Sequence, residues 1–197
     1  MGNVTAIIVA TTTVESIVLP ILIALAAVAL PSGAPAPTPA ALESGLAGRW
    51  RGALGYRDYQ SNKLEELPVV TEIRAIGDGV SIVRVSMFDD GPKTGTVTIT
   101  TAALYDDKAG TVSEVSLRKG RPVEVTTEHV AVTAFADATH WTLSYTEDGQ
   151  DNDAPAKLRI TETLTDDTLL SVKEVLPATA TDGVWRFRNQ TRLVRLP

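Results

Sequence analysis

The chain has 197 residues, a formal net charge of −6 and no cysteine. That length suits one domain with a leader, and the absent thiols exclude disulfides, thiol catalysis and thiolate metal sites. The acidic balance argues against a nucleic-acid partner, which would need a basic face.

Residues 1–30 read as a signal peptide or membrane anchor. Ile17–Leu30 is an apolar run, short for a bilayer span of about 20 residues and suited to the apolar core of a signal peptide. The flank departs from that pattern, because Met1–Ser16 holds Glu15 and neither Lys nor Arg. The alternative is membrane attachment through residues 6–30, with Glu15 tolerated at a cost of a few kcal/mol. Both readings place the remainder outside the cytoplasm, periplasmic or secreted. Residues 31–45 are rich in Pro and Ala and read as a tether.

Residues 46–197 carry short runs of Val, Ile, Thr, Leu and aromatics, broken by Asp/Gly turns about every ten residues. That rhythm predicts an all-β barrel or sandwich. The expected strands are 47–59, 67–76, 80–88, 95–105, 111–118, 123–134, 140–148, 156–165, 168–176 and 184–195. Alternation puts Trp50, Gly52, Leu54, Tyr56 and Asp58 on one face of the first strand, and Trp141, Leu143 and Tyr145 on one face of the seventh. Trp185, Phe187, Asn189, Thr191 and Leu193 share a face of the last. The turns Gly77–Gly79, Asp106–Gly110, Ala136–Thr139 and Asp166-Asp167 are short and contain Asp. The alternate connections are mostly longer. Tight turns at one end and longer loops at the other describe a cup, whose loops are the usual place for function. Closure also removes sheet edges.

Gly48-Arg49-Trp50 on the first strand resembles the opening Gly-x-Trp motif of lipocalins and the wider calycin barrels. The longer pattern, with Tyr56-Arg-Asp-Tyr59 and Phe187-Arg-Asn-Gln-Thr-Arg-Leu193, looks like exported, lipocalin-like bacterial proteins of uncharacterised function. The resemblance covers roughly residues 46–195. It implies an up-and-down antiparallel barrel of about 8–10 strands whose floor is crossed by Trp50, with an Arg of the last strand over it. Arg195 has the right parity for that place. It also implies a small apolar or amphipathic molecule as the partner, although fold does not fix function.

The expected ligand-lining residues are Leu54, Tyr56, Asp58, Phe88, Tyr145, Trp185 and Phe187, with Trp50 and Arg195 as structural floor. Tyr56 and Asp58 near the mouth could bind a polar group, act as an acid/base pair, or form an ordinary structural hydrogen bond. Glu162 and Glu174 have the parity of inward apolar positions and would need partners. Arg84 could supply one, unless a β-bulge reverses the facing of a strand. Glu147, Asp148, Asp151 and Asp153 cluster without the spacing of a calcium loop and read as a solvated hairpin turn. Some calycin-like barrels hold haem through one His, but His129 and His140 lack metal-ligand spacing, and no cofactor is expected. The standard hydrolase, zinc-protease and nucleotide motifs are absent. The leading expectation is a non-covalent binder. A barrel filled by its own side chains is the alternative, and an isomerase or hydrolase using Tyr56 and Asp58 comes last.

Overall fold

The computed structural model describes residues 37–57 and 63–197. The expected signal or anchor, the first part of the tether, and Asp58 lie outside them. Ten antiparallel strands form one closed barrel in which each pairs with its sequence neighbours and the last with the first. They are β1 (Gly48–Arg57), β2 (Leu64–Ala75), β3 (Ser81–Asp89), β4 (Thr96–Asp106), β5 (Thr111–Arg118), β6 (Glu124–Asp137), β7 (His140–Asp151), β8 (Ala154–Thr165), β9 (Thr168–Pro177) and β10 (Arg186–Arg195). Two short helices accompany them, α1 (Pro39–Ser44) before β1 and α2 (Gly91–Thr94) between β3 and β4.

The folded part begins earlier than the expected residue 46. Thr38 caps α1 by accepting a hydrogen bond from Ala41 N, and Pro39 opens the first turn. A hydroxyl N-cap followed by Pro is a regular helix start. Ala40, Leu42, Glu43 and Leu46 are buried against the barrel, so the end of the presumed tether is its floor.

The tight turns show why Asp recurs at that end. Asp78 Oδ1 accepts hydrogen bonds from Val80 N and Ser81 N, and Asp106 Oδ1 from Lys108 N and Ala109 N. Asp137 Oδ1 accepts one from Thr139 N. Each side chain satisfies backbone donors that the reversing strands leave free.

Closure joins β1 to β10 through the register Trp50↔Arg195 to Tyr56↔Asn189. Gly52 is required there. A Cβ at this position would lie 1.7 Å from the Arg192 carbonyl oxygen. The glycine therefore gives room to the neighbouring backbone.

Trp50 is fully buried and donates from Nε1 to Leu46 O at 2.8 Å. The Arg195 guanidinium lies 4.3 Å from the centre of its ring and donates to the carbonyls of Ala47 and Gly45 at 2.8 and 2.9 Å. One side chain thus covers the floor tryptophan and ties down the end of α1.

β10 carries a register shift between Phe187 and Asn189. Below it Thr191 and Leu193 face inward, opposite Ser171 and Leu169. Above it Phe187 lies opposite Glu174, which pairs with Arg159 across β8. Those two residues have the opposite parity to Glu162 and Ser171, so Phe187 is turned outward. The bulge residue Arg188 is ion-paired with Asp151.

Candidate functional site

Inside the barrel, charged side chains from opposite walls meet. Arg84 on β3 reaches Glu162 on β8 through two hydrogen bonds, Nη1 to Oε1 at 2.9 Å and Nη2 to Oε2 at 3.1 Å. The same Nη2 lies 2.5 Å from Glu43 Oε2 of α1. The inward parity of Glu162 and Arg84 is therefore realised as a bidentate pair. Glu174 is instead held by Arg159 at 2.7 Å on the outer face.

Glu43 continues the network. Its Oε1 lies 3.0 Å from Tyr145 Oη, which lies 3.3 Å from Tyr105 Oη. Burial, opposed by Arg84 and assisted by Glu162, pushes the Glu43 carboxyl up to about 8. Glu162 is also buried, but Arg84 and hydrogen bonds to its oxygens hold it below the usual carboxylate range. At neutral pH the triad thus carries a neutral Glu43 and a Glu162–Arg84 ion pair. The close Arg84–Glu43 contact is then a hydrogen bond to a neutral acid rather than a second full ion pair. Burial also raises both tyrosines above their ordinary value.

The Arg84–Glu162 bridge and Ser171 border two interior chambers. The first, about 120 Å3, is also lined by Glu43, Tyr105, Glu114, Glu128 and Tyr145, with Ile82, Ala103, Val112 and Ile160 as apolar wall. The second, about 110 Å3, lies among Thr71, Ser86, Phe88, Leu169, Thr191 and Leu193. A third hollow, about 100 Å3, is formed towards the mouth by Leu54, Leu67, Phe88, Asp90, Val97, Ile99 and Arg118.

Among the described residues, the side chains of Glu114 and Glu128 sit at the first chamber without a hydrogen bond or ion pair. Burial raises both carboxyls. Glu128, repelled also by Glu147 and Glu114, reaches about 7. Lys173, opposite Ile160 on the inner face, is the cation that opposes the rise at Glu128.

The expected lining residues that the structure describes are thus spread over several places. Tyr145 lies at the first chamber, Phe88 borders the second chamber and the mouth hollow, and Leu54 lines that hollow. Tyr56 is half-buried, opposite Asn189 and Glu65. Trp185 precedes β10 and is covered by the Arg159 guanidinium at 4.3 Å. Neither it nor Phe187 borders these three spaces. Sequence reasoning missed Glu43, Tyr105, Glu114 and Glu128. The last three share the inward parity of Ala103, Val112 and Val130. Glu43 was announced by the Thr-Pro start and Gly45 end of α1.

His129 pairs opposite Thr146, and His140 opposite Thr165. Both have outward parity, so no imidazole reaches the interior. His140 Nδ1 bonds Asp137 at 3.0 Å on the surface. Asn152 and Asp153, both with positive φ, make a two-residue hairpin turn between β7 and β8. No cluster of three metal-ligating side chains occurs among the described residues.

The chain is similar in fold to a solved protein, Rv2717c from M. tuberculosis, with a TM-score of 0.56 at 14% identity, covering 81% of this chain and 98% of that one. A structure of unknown function from the DUF3598 family of Nostoc punctiforme PCC 73102 aligns over 81% of this chain and all of its own, at 8% identity and a TM-score of 0.22. The first likeness shows the fold alone. No protein-family model and no curated protein matches the chain.

Proposed function

We propose that this barrel binds a small, partly apolar molecule non-covalently in its interior. The observation that carries the reading is the chamber of about 120 Å3, one wall apolar and the others bearing ionisable groups. A few placed polar groups in an apolar cavity are the usual composition of a ligand site. The lipocalin-like character of the Gly48-Arg-Trp50 opening supports the same reading. The chamber is well below the roughly 300–1,000 Å3 of drug-sized pockets, so the occupant is smaller than a typical lipocalin ligand, or enters only in part. The apolar run Ile17–Leu30 supports a site of action in the cell envelope, with the barrel exported or anchored.

The chamber sizes also favour a second reading, an envelope module whose barrel is filled by its own side chains. Native mass spectrometry of protein purified from its own host separates the two. A reproducible added mass, lost on denaturation, is expected for the binder. Empty protein, with no thermal shift across a panel of small amphipathic compounds, would reject it.

A further inference from the structure

The outer surface of the barrel differs from wall to wall. On β8–β10 it carries Lys157, Arg159, Glu174 and Arg192, with Arg159 and Glu174 paired. On β3–β6 the outward positions, of opposite parity to Arg84 and Tyr105, carry charge only at the strand ends. Two uncharged rows cross these strands in register. One runs through Val85, Thr100 and Leu117, the other through Val83, Ala102, Val115 and Val125. Met87 and Leu104 extend the patch towards the mouth and the floor, and Val123 lies just before β6. Met87, Leu104, Leu117, Val123 and Val125 are all exposed. Single exposed apolar residues are ordinary, but a contiguous patch rimmed by polar groups marks a contact surface.

Charge beside the patch and the place where the chain enters the barrel indicate what covers it. At its mouth end the β5–β6 connection, Arg118-Lys-Gly-Arg-Pro122, holds three cations and no acid. All three are exposed, and none is ion-paired among the described residues. Glu124, just beyond them, has the inward parity of Glu128, and Glu72 at the β2 edge is neutralised by Arg74. At the floor end, Ala40 N donates to Asp107 Oδ1 in the β4–β5 turn, so the chain enters the barrel beneath this same wall. Residues 31–37 can reach at most about 25 Å, comparable with the roughly 20 Å of strand from Leu104 to Thr98. A barrel anchored through residues 6–30 therefore has the wall within reach of the bilayer.

The size of the patch separates the occupants. Strands about 4.8 Å apart and rows about 7 Å apart give an area on the order of 300 Å2. A standard protein interface buries roughly 800 Å2 per partner. The patch is small for a stable dimer, but it suits shallow contact with lipid reinforced by cations. An apolar segment of the chain itself would make no use of the cations, since Glu15 is the one charged side chain in residues 1–30.

We propose that the outer wall of β3–β6 is a docking face for an anionic lipid bilayer, with Leu117, Val123 and Val125 in the apolar boundary and Lys119 and Arg121 among the head groups. The docked barrel lies on its side. Docking of this kind needs an envelope location but no occupant in the chamber, so an empty barrel in the native mass spectrum leaves it untouched.

The chain has no cysteine, so one introduced thiol carries one label. Val125→Cys and Lys157→Cys place an environment-sensitive fluorophore on the apolar wall and on the opposite, charged wall, both at exposed positions. The full chain is reconstituted with phosphatidylcholine vesicles, with and without phosphatidylglycerol, and brominated lipid serves as quencher. The expected result is quenching several-fold stronger at 125 than at 157 in the anionic vesicles. High salt should weaken it, and the double change Lys119→Glu and Arg121→Glu should cut it roughly threefold. Equal quenching at the two positions, or none at 125, overturns the proposal. So does a signal at 125 that ignores phosphatidylglycerol, salt and charge reversal. A spectral shift at 125 that grows with protein concentration in the absence of vesicles assigns the wall to a second copy and overturns it too. If the Val125→Cys chain does not fold, Leu117→Cys reports on the same wall.

Discussion

Arg84 holds the interior together by standing between the buried carboxylate of Glu162 and the buried acid of Glu43. Its removal leaves Glu162 buried beside Glu43 with no compensating cation, and breaking one partner of a buried pair typically costs about 3–5 kcal/mol. Arg84→Met is expected to lower unfolding stability by that order in urea melts, and more than Glu162→Gln, which leaves Arg84 able to bond Glu43. The pH dependence follows from the same residues. Glu43 has its carboxyl raised from 4.5 to about 8 in the folded state. The folded chain therefore holds a proton that the unfolded chain releases. Stability from this group is full below about pH 4.5 and is lost as pH rises towards 8. Glu162 acts in the opposite sense, since its lowered carboxyl contributes above about pH 4.5 and its contribution is lost on acidification. Melts at pH 5, 7 and 9 should show a declining midpoint, and Glu43→Gln should flatten that decline. An unchanged slope in the variant would refute the assignment.

At the level of the elements, two contacts fix the closing seam between β1 and β10. Gly52 lets β10 pass where a Cβ would strike the Arg192 carbonyl. Because the obstacle is backbone, it cannot rotate away. Gly52→Ala should cost at least the 1–3 kcal/mol typical of overpacking, read as a drop in denaturation midpoint, whereas Gly77→Ala, with open space around it, should change little. Arg195→Ala removes a cation over Trp50 and two hydrogen bonds to the end of α1. With cation–π contacts worth about 0.5–2 kcal/mol, a melting temperature lower by several degrees is expected. The strands and their number were legible because period-two alternation and Asp turns are local signals. The floor pair Trp50–Arg195 was legible because closure of a meander brings the first and last strands together. Three things were not. The Thr38–Gly45 helix was hidden in a Pro/Ala-rich stretch, where composition outweighed its capping residues. The bulge at Arg188 reversed the facing of Phe187, and a bulge leaves no mark on alternation read from one strand. Glu114 and Glu128 have inward parity, but only the arrangement of neighbouring walls shows that neither carboxyl has a partner among the described residues.

For the whole molecule, the decisive contact is the most distant one. β10 closes the barrel against β1, so that Arg195 bonds Gly45 across 150 positions of sequence. Loop closure over such a span is an entropic barrier that the last contacts must overcome, and barrels of non-local pairing fold in milliseconds to seconds. Until β10 docks, β1 and β9 each present a row of unpaired backbone groups, and such edges recruit other chains. Deleting residues 184–197 should therefore not give a nine-strand monomer. It should give oligomers by size-exclusion chromatography and a rise in thioflavin T signal. Adding the deleted segment as a peptide during refolding should restore monomer, because the peptide pairs both edges at once and returns Leu193 to the core, where it is buried. A truncated chain that stays monomeric and unfolds cooperatively would show instead that β1 and β9 can pair directly. The tenth strand would then be dispensable for closure, and the Gly52 approach would matter only to the intact barrel.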